Sequence, residues 1–385
     1  MNENKLEFAN ILRGLAAIFV VLSHYLHNAW EMRPLVENFA NVKMPTEELV
    51  PTPIYVKMLD IVPHFDWGGY GVGIFFLVSG LVIPLSIKKY STLAFLIGRA
   101  FRLWPVYAAG FTISILSMYV AGIYFNKPFQ YTYWQVAIHY LLGIRDLIWS
   151  ANIDGIIWTL EIEIKFYIVC ALLAPFIRKG NPLIFVAPIA IAVSCFLAGI
   201  YMKNHGVEQV IWRLAYMLTL SGQFIVFMFL GTVYSFWING ELKTKAAILI
   251  SAILLGTFFA LLLWGPHKDM TSIEWGGYLA AVVTFILFTM YKRKSGTIFT
   301  FLSKISYPLY ASHGAMGYVV IALALSFGAS PKIAIATAIF TAIIVAYALH
   351  HLVETPTHRK GQKIARALTT INKPGVSKVK SAETA

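Results

Sequence analysis

The stretch Arg13-Gly-Leu-Ala-Ala-Ile-Phe-Val-Val-Leu-Ser-His24 decides the fold, because it is an apolar helix with an ionisable side chain at each end. Eleven residues are about three helical turns, so the two side chains lie on one face, roughly 16 Å apart along the axis. Ionisable side chains cost several kcal/mol in hydrocarbon and are retained mostly where they face a polar cavity. The stretch therefore predicts a first transmembrane helix that carries a functional arginine and a functional histidine.

The composition extends this interpretation to the whole chain. Of its 385 residues, 58% are hydrophobic and only 13% are charged, which is too apolar for a soluble protein of this size. We predict an all-α integral membrane protein, a bundle of about ten transmembrane helices, with membrane lipid as its surroundings. The net charge of +13 does not indicate nucleic acid as a partner, because the basic residues collect in loops between apolar runs.

The positions of the apolar runs and of the basic residues predict the topology. The predicted spans lie at about 10–28, 70–87, 103–123, 156–177, 181–201, 214–237, 246–264, 275–291, 305–327 and 332–353, and the shorter run 134–149 is predicted to be interfacial or re-entrant. Of the 31 Lys and Arg residues, 21 fall on the side of the termini and 9 on the other, with Lys165 inside a span. The positive-inside rule makes both termini cytoplasmic, and the loop 29–69 is then the largest extracytoplasmic element.

Two regions follow from this layout. Residues 1–356 are predicted to form one polytopic membrane domain. Residues 357–385 are predicted to be a basic, disordered cytoplasmic tail held near anionic lipid, with partner binding as the alternative role.

A second histidine is predicted to lie as deep in the membrane as His24. His313 follows the predicted cytoplasmic Lys304 by nine residues, which places it about 13 Å deep. Imidazole is the side chain best suited to proton exchange near neutral pH. One histidine is predicted to act as a base and the other to orient or bind; the alternative is a hydrogen bond that only joins helices.

The fourth span begins with three charged residues, Glu161, Glu163 and Lys165. Glu161 and Lys165 are spaced i, i+4 and are predicted to neutralise one another. Glu163 is rotated by about 200° from Glu161 and is left as the unpaired acid, about 22 Å from the cytoplasmic edge by helical rise. It is predicted to orient an extracytoplasmic acceptor, with a salt bridge to another helix as the structural alternative.

Arg99 and Arg102 stand at i, i+3 where the third span begins. Such residues commonly mark a cytoplasmic helix end, but two arginines on one face can also hold a polyphosphate through bidentate contacts. The sequence contains no glycine-rich phosphate loop, no metal-ligand pattern and no nucleophilic serine motif, and no metal is expected. Val78-Ser79-Gly80 is interpreted as a helix-packing motif.

These residues together resemble the acyltransferase-3 family of integral-membrane O-acyltransferases. The motifs that carry the resemblance occur in order along nearly the whole chain: Arg13 to His24, Gly71-Val-Gly-Ile-Phe-Phe-Leu-Val-Ser-Gly80, Arg99-Ala-Phe-Arg102 followed by Pro105, Trp158-Thr-Leu through Glu163 to Phe166-Tyr167, Ile305-Ser-Tyr through His313, and Glu354-Thr-Pro356. Two positions depart from the family pattern. Gly73 stands where the family often has an acid, and Lys165 is unusual in the fourth-span motif.

The resemblance implies acetyl-CoA or another acyl-CoA as the cytoplasmic donor, and a carbohydrate or a small hydroxylated molecule as the acceptor. It implies that His24 is catalytic, that Arg13 positions it or neutralises oxyanion charge, and that Arg99 and Arg102 bind the CoA phosphates. It also implies a bacterial inner membrane as the location. Two other functions fit some of these residues: a proton-coupled secondary transporter, which would use the buried His, Glu and Lys as a relay, and a structural envelope-assembly subunit.

Overall fold

The computed structural model describes residues 7–271, 275–290 and 296–371, without the side chains of 60–61, 270–271 and 371. Within these ranges all regular secondary structure is helical. The twelve principal helices are α1 Glu7–Leu22, α2 Trp67–Lys89, α3 Thr92–Phe125, α4 Ile157–Leu172, α5 Val186–Asn204, α6 Val210–Ile238, α7 Thr244–Trp264, α8 Trp275–Met290, α9 Thr297–Ser312, α10 Gly314–Ser326, α11 Pro331–Leu349 and α12 Thr355–Ile371.

Shorter helical segments join them. α-Helical turns occur at Ala29–Glu31, Arg33–Ala40, Ile54–Lys57, Tyr133–His139, Ala174–Arg178 and Lys268–Thr271, and 3₁₀ turns at Met58–Ile61 and Pro182–Phe185. Two π-helical segments, Ser23–Asn28 and His350–Glu354, continue α1 and α11.

The structure confirms an all-helical membrane protein. Seven helical segments among the described residues are long and apolar enough to cross a membrane, and α9 with α10 makes an eighth if that bent pair is one span. The predicted run 134–149 is a short helix, Tyr133–His139, followed by turns. The predicted span 305–327 bends by 77° between α9 and α10, at His313.

Helix α2 lies at the centre of the bundle and packs most closely against α6. A Cβ atom on Gly80 would lie 1.9 Å from the Met228 carbonyl oxygen, and one on Gly231 would lie 2.1 Å from that of Leu77. Glycines allow two membrane helices to approach this closely, as predicted for Gly80. Gly73 packs in the same way against α8, since its Cβ would lie 2.9 Å from that of Ala281. This contact explains why no larger side chain stands there.

The C-terminal region differs from the sequence prediction. Where disorder was expected after residue 356, helix α12 continues to Ile371, and residues 372–385 lie outside the described part. α12 packs antiparallel on the start of α3: Thr369 accepts a hydrogen bond from the Ser91 N–H at 3.3 Å, and a Cβ on Gly361 would lie 2.5 Å from that of Phe101. Disorder was predicted from the basic composition of this segment. In the structure its lysines and arginines lie on the exposed face of α12, whereas small residues face α3.

Candidate active site

His24 lies in a π-helical segment, Ser23–Asn28, rather than in the continuous α-helix that the sequence predicted. Such single π turns often occur at functional sites. The His24 ring contacts that of His313, with centroids 4.7 Å apart and planes at 83°. The prediction that the two histidines reach the same depth is consistent with this contact.

The Nδ1 atom of His24 has a partner that the sequence analysis missed. It lies 2.7 Å from the Tyr318 hydroxyl group on α10. His24 also lines the larger of the two central cavities, called here the outer cavity. Because Tyr318 occupies Nδ1, Nε2 is the ring nitrogen left for a substrate.

His313 lies behind His24 and is fully buried. Its Nδ1 is 2.8 Å from the Tyr310 carbonyl oxygen and 3.1 Å from that of Leu309. Carbonyl groups only accept, so Nδ1 carries the proton and Nε2 is left as an acceptor. This Nε2 has no hydrogen-bond partner among the described residues. His313 lines neither central cavity, so it can act on a substrate only through His24.

A buried tyrosine holds the helix bend that positions His313. The Tyr25 hydroxyl donates to the His313 carbonyl oxygen at 2.7 Å. On the next turn of α10, a Cβ on Gly317 would lie 2.0 Å from the Tyr25 hydroxyl oxygen. Glycine at this position therefore lets the tyrosine reach the bend.

The outer cavity has a volume of about 510 Å³ and a polar, aromatic lining. Its acidic side chains are Asp66, Asp146, Asp154 and Glu161, and its aromatic side chains include Phe39, Trp158, Tyr216 and Tyr278. Aromatic faces and hydrogen-bonding carboxylates are groups that can contact the apolar faces and the hydroxyls of a sugar ring.

A buried hydrogen-bond chain fixes one acid of this lining. The Ile153 N–H donates to His139 Nε2 at 2.9 Å, so the neutral ring carries its proton on Nδ1, 2.7 Å from the Tyr107 hydroxyl. Tyr107 in turn donates to Asp154 at 3.0 Å. Burial lowers the pKa of His139 to about 2, which agrees with a neutral ring. The other oxygen of Asp154 caps α4 by accepting from the Ile156 and Ile157 N–H groups.

The charged residues of α4 do not pair as the sequence predicted. Glu161 binds Arg145 through two hydrogen bonds, at 2.9 and 2.5 Å, and Lys165 pairs with Asp146. The predicted Glu161–Lys165 pairing is therefore wrong. Arg145 and Asp146 follow Tyr133–His139 in a turn region that folds back on α4, and a local spacing rule cannot foresee such partners.

Glu163 faces a second space, called here the inner cavity, which also contains Arg13, Arg99 and Arg102. The carboxylate accepts hydrogen bonds from Ser79 at 2.7 Å and from Tyr167 at 2.5 Å. Glu163 was predicted to face an extracytoplasmic acceptor, apart from Arg99 and Arg102, but the structure places all three in one cavity. Ser79, interpreted from sequence only as a packing residue, is a member of this site.

Arg13 also lies apart from His24. It lines the inner cavity, whereas His24 lines the outer one. Arg13 was expected to position His24 or to neutralise oxyanion charge beside it. The structure instead places the two side chains in two adjoining cavities. Val72 and Tyr310 line both cavities and form the boundary between them.

The inner cavity carries excess positive charge. Three arginines face one carboxylate, and the ion pairs found among the described residues involve none of the three. Arg99 donates to Ser86 at 2.5 Å and lies over the rings of Phe95 and Tyr167. Partly buried guanidinium groups without carboxylate partners are suited to bind an anionic group.

Comparison with known proteins identifies the family. The family model described as an acyltransferase domain, Acyl_transf_3, matches residues 6–351. The chain belongs to the acyltransferase-3 family. It is thus a membrane protein of a family whose activity is acyl transfer, and the site above lies within the matched residues.

Two relatives of this acyltransferase-3 member come from Rhizobium species. Exopolysaccharide production protein ExoZ of Rhizobium meliloti (strain 1021) is 24% identical over 318 residues, covering 80% of this chain and 94% of the relative. Nodulation protein 10 of Rhizobium leguminosarum bv. viciae is 26% identical over 127 residues, covering 28% of this chain and 34% of the relative. A search of the solved structures found no match.

Proposed function

We propose that this protein moves an acyl group, in particular an acetyl group, from cytoplasmic acyl-CoA to a hydroxyl group of a carbohydrate or related envelope molecule. The observation that carries the proposal is the position of His24. Its imidazole borders an outer cavity with a polar, aromatic lining, and this cavity adjoins an inner cavity rich in arginine. A base in a hydroxyl-binding cavity that adjoins an anion-binding cavity suits acyl transfer from a phosphorylated donor.

The donor occupies the inner cavity in this proposal. Arg99 and Arg102 hold phosphate oxygens, and the thin acyl-bearing arm extends past Val72 and Tyr310 towards His24. The inner cavity has a volume of only about 70 Å³, which suits a narrow chain better than a bulky group. Arg13 and Glu163, which line this cavity, belong to the donor side.

The acceptor occupies the outer cavity. The relative named for exopolysaccharide production and the acidic and aromatic lining both support a saccharide there. Hydroxyl groups of the sugar donate to carboxylates such as Asp66 and Asp154, while the ring packs on an aromatic face such as Trp158.

The chemistry follows from the free nitrogen of His24. Nε2 takes the proton of the acceptor hydroxyl as its oxygen attacks the thioester carbonyl carbon. The tetrahedral adduct then breaks its carbon–sulfur bond, and the leaving thiolate takes the proton from the imidazolium. The products are an acyl ester of the acceptor and the free thiol of CoA. Tyr318 holds the ring through Nδ1.

Comparison of cell-envelope glycans with and without the protein tests the proposal directly. Mass spectrometry should show that an acyl increment is lost from a glycan when the gene is deleted, and that it returns with the wild-type gene but not with His24→Ala. Unchanged glycans in the deletion strain, under conditions in which the protein is made, would contradict a glycan acceptor.

His313 is proposed to position His24, since it lines neither cavity. His313→Ala is expected to lower kcat by up to about 100-fold, because a misplaced catalytic group loses reactivity steeply. The KM values for donor and acceptor should change little. Steady-state kinetics on purified protein measure both, and a large rise in either KM with kcat preserved would show that His313 binds substrate instead.

The proposed location is the bacterial inner membrane, with both termini in the cytoplasm. A cysteine placed at Glu48, in the loop 29–69, should react with a membrane-impermeant maleimide in intact spheroplasts, and one placed at Lys363 on α12 should react only after permeabilisation. Both positions are exposed. The native Cys170 and Cys195 are buried. Each variant is compared with the wild-type protein, which carries only these two cysteines. Labelling of position 363 but not of position 48 in intact spheroplasts would show that the orientation is opposite to the proposed one.

A further inference from the structure

Helix α12 lies outside the residues matched by the family model, which end at 351, yet it closes a third cavity beside the arginine site. This α12 cavity has a volume of about 230 Å³ and shares Val82, Arg99 and Arg102 with the inner cavity. α12 contributes His358, Gln362 and Ala365 to its wall. The cavity is therefore the side of the arginine site that lies away from His24.

The lining of the α12 cavity is cationic and contains no acidic side chain. Lys89 joins Arg99 and Arg102 there. Its composition differs from that of the inner cavity, where Glu163 stands among the arginines. Three cations around a partly enclosed space without a counter-charge favour a phosphate group.

His358 brings a hydrogen-bond donor to the same space. The Gln362 side-chain amide nitrogen lies 2.8 Å from His358 Nε2, so Nε2 accepts and the neutral ring carries its proton on Nδ1. The Nδ1 atom is buried and has no partner among the described residues. A buried N–H group without an acceptor costs free energy, and a bound phosphate oxygen would satisfy it.

One helix connects the three cavities in order. On α2, Val72 borders the outer and inner cavities, Ser79 lines the inner one, and Lys89 lines the α12 cavity. Lys89 follows Val72 by seventeen positions, which correspond to about 25 Å of helix. An elongated ligand with a reactive end at His24 thus places its opposite end beside α12.

We propose that the α12 cavity binds the 3′-phosphorylated adenosine end of the acyl-CoA donor, with Lys89 and His358 contacting the 3′-phosphate. This inference rests on the proposed function and adds a site to it. α12 is then a wall of the donor site, held on α3 by the contact between Gly361 and Phe101. A compact donor such as an acyl phosphate would leave this cavity unused.

The experiment measures binding of CoA and of dephospho-CoA, which lacks the 3′-phosphate, to purified full-length protein in nanodiscs of neutral lipid. Wild-type protein should bind CoA about 100-fold more tightly than dephospho-CoA, the effect of two hydrogen bonds to a charged group at about tenfold each. His358→Ala should weaken CoA binding about tenfold and leave dephospho-CoA binding unchanged. Lys363→Ala and Arg366→Ala, on the exposed face of the same helix, are the matched controls and should bind both ligands as wild type does.

The outcomes separate this inference from the proposed function. Failure of wild-type protein to bind either ligand would contradict acyl-CoA as donor. Wild-type binding of both ligands with equal affinity, or equal losses for both in His358→Ala, would overturn the assignment of the 3′-phosphate to this cavity while leaving the donor class intact. Nanodiscs containing phosphatidylglycerol test the other source of phosphate. If this lipid competes with CoA in wild type but not in His358→Ala, and the two CoA forms bind alike, the cavity holds a lipid headgroup and the proposal is wrong.

Discussion

Purified His24→Ala protein is expected to lose about 1,000-fold or more of its acyl-transfer rate, because removal of a general base commonly costs two to four orders of magnitude. The substitution removes a ring that borders the outer cavity and contacts His313. Donor binding should survive, since the arginines that line the inner cavity are untouched. Radiolabelled acyl transfer to purified envelope glycan measures the rate, and equilibrium binding of CoA measures the donor site.

His27→Ala is the matched control for this experiment. His27 lies in the same π-helical segment but does not line the outer cavity. Its replacement should leave transfer within a few-fold of wild type and should report any general damage to the segment. Transfer near the wild-type rate in a monodisperse His24→Ala preparation would remove His24 from the chemistry.

Replacement of Arg99 or Arg102 by Ala is expected to weaken acyl-CoA binding by about 10- to 100-fold each. A charge-assisted hydrogen bond contributes about 1.5–3 kcal/mol, and every 1.4 kcal/mol is tenfold in affinity. Lysine at either position should restore only part of the loss, because an ammonium group cannot reproduce the bidentate fork of a guanidinium. Isothermal titration with CoA measures the affinities.

Lys179→Ala provides the electrostatic control, because Lys179 is an exposed residue. It should bind CoA as wild type does, which would show that the arginine effects are local. Normal CoA binding by both arginine variants would place the donor phosphates elsewhere. That result would favour a transporter-like role for the buried charges.

Much of this architecture could be predicted from the sequence because it depends on distances along single helices. Apolar runs predicted the all-helical membrane bundle. Helical rise predicted that His24 and His313 reach similar depth, and the structure brings their rings together. The spacing of Arg99 and Arg102 predicted a shared face, and both line the inner cavity.

Contacts between elements distant in sequence could not be predicted in this way. Arg145 and Asp146 lie in the turns after the helix Tyr133–His139. They form ion pairs with Glu161 and Lys165, which their i, i+4 spacing had predicted to pair with each other. Glu163 faces the arginines because of how α4 is rotated against α2, where Ser79 meets it. The helical rise per residue predicts neither the rotation of one helix against another nor the path of a loop.

The sequence alone determined the class of protein and its family, because hydrophobicity and motif order are properties of the chain itself. Only the tertiary structure decided which cavity each side chain lines. It placed Arg13 and Glu163 with the arginine cluster, set Tyr318 against His24, and folded α12 over the far side of that cluster. The physical reason is that a buried charge or hydrogen-bonding group needs partners from neighbouring helices. The packing of the helices determines which residues are neighbours.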